Sequence, residues 1–169
     1  MSETLALAPL WRRLVSLCYD TLLLIALVLA GAMLFQLVWP GDAGSAVRRY
    51  TEFAYMVALL FGYFSWCWRR SGQTLAMKTW RLRLRSTTRN QPGWLAIAIR
   101  FTLVFCAFMP LSPAWIWSKH VPGMRWLLWL ACAWAALPYL WALIDRDRQF
   151  LHDRLAGTCI ELMPIAPRD

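Results

Sequence analysis

The sequence predicts an all-α membrane protein: four transmembrane helices in a bundle, a short cytoplasmic loop with two small β-strands, and a charged C-terminal tail. Composition is the first observation behind that prediction. The 169 residues are 60% hydrophobic and 16% charged, with a mean hydropathy of +0.44. A soluble domain of this size is nearer half apolar and a quarter charged, and its core is too small to hide such an excess. The second observation is that the apolar residues gather into four runs. The third is that tryptophans cluster at the ends of those runs, the depth at which an indole finds both an apolar bed and a polar neighbour.

The first helix is expected over about residues 14–39, interrupted only by Asp20 and flanked by Trp11 and Trp39. Ala30-Gly31-Ala32 resembles a signal-peptide cleavage site, but Asp20 breaks the apolar region and the run continues past it. The second helix spans about 51–68 and ends on Trp66 and Trp68. The third spans about 94–117, carries Arg100 near its start, and meets Pro110 and Pro113, which predict a kink or unwinding at its far end. The fourth, about 126–144, holds no charge. Spans of about 20 apolar residues are what a bilayer requires. Together they make one transmembrane domain over 10–160, with 1–9 and 161–169 as short cytoplasmic termini.

Between the second and third helices, Trp80-Arg81-Leu82-Arg83-Leu84-Arg85 alternates with period two. That pattern fits a strand, or alternatively a segment lying on the headgroups. Arg89-Asn90-Gln91-Pro92-Gly93 reads as a turn, and 157–163 as a second short strand. Asp145 to Arg154 alternates acids and bases at helical spacing, which predicts an exposed helix with a solvated His152.

The net charge of +9 is distributed by side. Arg12, Arg13, Arg69, Arg70, Lys78, Arg81, Arg83, Arg85, Arg89, Arg146, Arg148, Arg154 and Arg168 fall on one face of the expected topology, and Arg48, Arg49, Lys119 and Arg125 on the other. This places both termini in the cytoplasm. No nucleic-acid reader motif accompanies the charge, so lipid headgroups are the expected partner and nucleic acid is not.

An ionisable residue inside a span is a functional candidate by default. Asp20 and Arg100 each lie about 9 Å past the start of their run, on the same side. With Arg13, seven residues before Asp20, and Asp145 at the end of the fourth helix, they form an expected polar cluster. It serves one of three roles: structural glue between helices, ion coupling, or lipid anchoring. No catalytic set is present, and neither a cofactor nor a metal is expected. Gly72 to Lys78 lacks the ending of a phosphate loop; Gly72 is expected to permit a turn, and Gln73 and Thr74 to cap the segment that follows. His152-Asp153 lacks a third ligand. The five cysteines have no ligand spacing.

Three segments resemble the RDD family of membrane proteins, named for an arginine and two aspartates. They are Trp11-Arg12-Arg13-Leu14 with Asp20, Ser71-Gly72-Gln73-Thr74-Leu75-Ala76-Met77-Lys78 with Leu82, and Asp145 through Arg148-Gln149-Phe150-Leu151-His152-Asp153-Arg154-Leu155-Ala156-Gly157-Thr158. The resemblance marks Gly72, Gln73, Lys78, Gln149, His152, Asp153, Gly157 and Thr158 as motif positions. It makes Arg13, Asp145 and Asp153 the name-giving ones, with Asp20 fitting too. Ala76 departs from the family's frequent glycine, and Phe150 from its small residue. The resemblance implies a bacterial inner-membrane protein with one of two roles. The first is a non-enzymatic accessory, scaffold or assembly component that binds anionic lipid, a second copy or other membrane proteins. The alternative is a cation–proton antiporter using Asp20, Arg100 and Asp145.

Overall fold

A computed structural model describes residues 8–41, 44–87, 91–121 and 123–164. Arg89, Asn90 and Arg168 of the sequence reading lie outside these, as do the outermost parts of both termini. The chain is mostly helical and divides into two compact units, Ala8–Arg83 with a short C-terminal piece, and Leu84–Glu161.

In the first unit, α1 (Leu10–Val38) packs against α2 (Ala46–Arg70) and the short α3 (Leu75–Thr79). Twenty-nine residues make α1 about 43 Å long, more than a bilayer's hydrocarbon thickness. Its large side chains face outward: Leu29 is 66% exposed, whereas Gly31 is buried. A Cβ at Gly31 would run into the end of the Leu59 side chain, so the missing side chain lets α1 and α2 approach. Two threonine hydroxyls on these helices bond back to their own backbone. Thr21 Oγ1 donates to the Leu17 carbonyl at 2.8 Å, and Thr51 Oγ1 to that of Val47 at 2.9 Å.

In the second unit, α4 (Trp94–Phe108), α5 (Leu111–His120), α6 (Arg125–Ile144) and the short α7 (Leu151–Leu155) pack around α6. The expected disturbance at the prolines is real: α4 stops at Phe108, and α5 restarts with Pro110 at its N-cap. Pro110 has no N–H to donate, so the ladder is interrupted there. The Ala114 N–H donates to the Pro110 carbonyl at 3.1 Å and resumes the turn. Pro138 lies inside α6.

Three stretches are long and apolar enough to cross a membrane: Leu10–Val38, Trp94–His120 and Arg125–Ile144. The second expected span is less apolar. Helix α2 forms, but its apolar stretch is short, rich in aromatics and bounded by Arg48, Arg49 and Glu52 at one end and by Arg69 and Arg70 at the other. Length alone does not give it the hydropathy of the other three.

The alternating Arg/Leu segment is a strand. Strands β1 (Leu82–Ser86) and β2 (Thr158–Leu162) form a two-stranded sheet. The Met163 N–H reaches the Arg81 carbonyl at 2.9 Å, and the Thr87 N–H reaches that of Gly157 at 3.0 Å, so the strands run antiparallel. Leu82 and Leu84 are fully buried, and Arg85 on the other face pairs with Glu161 at 3.1 Å.

Candidate functional site

The sequence motifs build two polar centres, one in each unit. In the first unit, the motif from Ser71 to Lys78 forms a tight entry into α3. Gly72 has φ +70°, a conformation a Cβ disfavours. Ser71 Oγ accepts the Gln73 N–H at 3.3 Å. Thr74 then caps α3, its hydroxyl accepting the Met77 N–H at 3.1 Å. The same hydroxyl donates to Asp20 Oδ2 at 3.0 Å, so the carboxylate inside α1 is held by the cap of α3. Gln73 does not cap; its amide donates to the Leu82 carbonyl at 2.7 Å. Arg13 and Ser16 are buried on the α1 face that carries Asp20. Lys78 is exposed. An aromatic cluster lies alongside, with Trp80 edge-on to Trp11 at 5.9 Å and to Tyr19 at 6.1 Å.

In the second unit, the closing motif turns back on itself. Asp145 ends α6, and its carboxylate accepts the Gln149 N–H at 3.0 Å and an ion pair from Arg154. The Arg148 N–H donates to the Asp145 carbonyl at 3.0 Å, with Arg148 itself at φ +50°. This turn delivers α7, whose Asp153 forms an ion pair with Arg100 of α4. Arg100 is 7% exposed and Asp153 1%. Gly157, at φ +61°, reverses the chain into β2, and Thr158 Oγ1 donates to the Asp153 carbonyl at 3.3 Å.

The expected exposed helix with a solvated histidine is corrected here. Only Leu151–Leu155 is helical, and His152 is 4% exposed. The cause is aromatic packing that charge spacing does not reveal. Phe150 stacks on the imidazole at 5.5 Å, and Tyr139 of α6 meets both rings edge-on at 5.6 and 5.2 Å. Burial, and then the positive charge of Arg100, hold the imidazole well below its ordinary value of 6.5.

Of the four expected cluster residues, Arg13 and Asp20 belong to the first unit and Arg100 and Asp145 to the second. Of the ion-pair partners, Asp153 was marked as a name-giving position through the resemblance and Arg154 as a surface charge; Thr74 was expected only as a cap. Tyr139 was missed, because an aromatic residue in an apolar run gives no signal. Arg48, assigned to a loop, is also buried, donating to the Gly41 carbonyl and to Gln36 Oε1. No group of three or more metal-binding side chains exists among the described residues.

Long helices with apolar side chains turned outward, and charges buried only where they are partnered, define an integral membrane protein. The RDD family model matches residues 7–157, and the chain belongs to the RDD family. No curated protein and no solved structure matches it.

Proposed function

We propose that this protein is a non-enzymatic component of the bacterial inner membrane, an accessory or scaffold factor that binds membrane partners or anionic lipid. In this reading four helices cross the bilayer, α2 as the least apolar of them, with both termini in the cytoplasm. The observation that carries the proposal is the buried pair of Arg100 and Asp153. A charge that reaches into an apolar helix is matched there by a motif residue, and the match ties α7 to α4. Asp145 with Arg154, and Asp20 with Thr74, do the same for neighbouring segments. Charges so engaged serve architecture. The interfacial arginines supply the lipid contact: Arg12 lies 5.2 Å over the Trp11 ring, and Arg70 5.2 Å over Trp66.

The test uses purified protein in liposomes. Pulses of sodium, potassium or lithium against a pH-sensitive dye are expected to give no proton flux. In parallel, phosphatidylglycerol is expected to raise the melting temperature over phosphatidylcholine, and Arg12→Ala with Arg70→Ala to remove part of that gain. Cation-driven flux that disappears in a folded Asp20→Asn variant overturns the proposal and makes the chain an antiporter.

A further inference from the structure

A cavity of about 220 Å³ opens among α4, α6 and α7 in the second unit. Leu103, Cys106 and Ala107 form one wall, Trp134 and Pro138 another, and His152 closes it. The Trp134 indole N–H is committed to the Cys106 carbonyl at 3.3 Å. The imidazole is different: His152 Nδ1 is buried and has no hydrogen-bond partner among the described residues. Such an atom costs free energy unless something supplies its bond.

The state of that nitrogen follows from its surroundings. Nε2 faces Asp153 Oδ1 at 3.8 Å, and Arg100 stands on the same carboxylate. At this distance the carboxylate makes no hydrogen bond, but as the negative charge nearest the ring it favours the proton on Nε2, and burial keeps the ring neutral. Nδ1 is therefore left as an acceptor.

What fills the space must be mostly apolar and carry one donor. Water is a poor candidate, since an ordered water needs two to four polar partners. An apolar cavity of about 150 Å³ already accepts a benzene-sized molecule. We propose that this cavity is a binding site for a bilayer-soluble amphiphile with an apolar body and a single hydroxyl, which donates to His152 Nδ1. A phenolic compound and a lipid hydroxyl share that chemistry. The proposal is independent of the scaffold role and does not stand or fall with it.

The test is nitrogen NMR on full-length protein with ¹⁵N-labelled histidine in nanodiscs. The sequence has two histidines, and His152→Phe assigns the signal by removing it. The Nδ1 resonance is expected at the position of a bare acceptor nitrogen. It moves upfield on adding p-cresol or a short-chain diacylglycerol, whichever is the natural source, and stays put with 4-methylanisole, which has the same body without the donor. Cys106→Phe, which fills the cavity from the α4 wall, abolishes the shift while the helical circular dichroism is retained. No movement with either hydroxyl compound overturns the site. So does equal movement with the ether, or a resonance already hydrogen-bonded before any addition.

Discussion

The long helices and the two-stranded sheet obey opposite rules of burial. Along α1 and α6, Leu29, Leu37, Leu143 and Ile144 are exposed, while the buried positions are Arg13, Ser16, Gly31, Phe35, Ala131, Ala135 and Ala142, mostly small or polar. In the sheet, Leu82, Leu84 and Ile160 are buried, and the arginines point out. The sheet folds as a piece of soluble protein folds, by removing apolar surface from water. In lipid that drive is absent between helices, so small residues and partnered polar ones define the contacts. Arg100 and Asp153 stand where the two regimes meet, and both are buried.

The comparison is most sharply broken there. Arg100→Ala or Asp153→Ala strands one buried charge and is expected to cost about 3–5 kcal/mol, read as lost thermal stability in detergent. Exchanging Leu143 for another apolar residue on the outward face should leave the melting temperature nearly unchanged.

Backbone changes in the motifs come next. Gly157→Val forces a β-branched residue into the left-handed region, at about 1–2 kcal/mol, and Gly72→Val is expected to behave alike. Either shows as faster proteolysis of the motif segment. Acid gives an effect of similar size. The unfolded chain takes up a proton on His152 near pH 6.5, whereas the folded chain resists it. Stability is therefore complete above pH 6.5 and declines below it, down to the depressed folded value, by at most about 1.4 kcal/mol per pH unit. The difference between the parent and His152→Phe isolates this slope from that of the carboxylates.

Thr74→Val removes the cap of α3 and the hydroxyl on Asp20, at about 1 kcal/mol, seen as faster amide exchange over 75–79. The smallest effect belongs to Arg85→Ala, whose partly exposed pair with Glu161 contributes under about 1 kcal/mol.

Much of the architecture was legible because hydropathy and tryptophan placement depend on the solvent around a segment rather than on its partners. The proline break at Pro110, the Arg/Leu strand and the α3 cap at Thr74 were all local signals, and local signals survive folding. Asp20 and Arg100 stood out because charge is rare in an apolar run. Their partners were not legible. Asp153 lies 53 positions from Arg100, and only the family resemblance, not the charge spacing, sets it apart from the exposed Asp147 nearby. His152 went wrong for the same reason: its burial depends on Tyr139, on a different helix. The low hydropathy of α2 is masked in the composition, because its tryptophans and tyrosines count as hydrophobic there yet transfer poorly into hydrocarbon.

The central claim is that the buried charges hold this molecule together through one another. It is tested most directly by a double-mutant cycle on Arg100→Met and Asp153→Leu, followed by thermal unfolding in nanodiscs. The account predicts that each single variant is strongly destabilised, and that the double variant, with both charges gone and the volume roughly kept, regains most of the loss. A double variant as unstable as the sum of the two singles would mean that neither residue needs the other, and would contradict it.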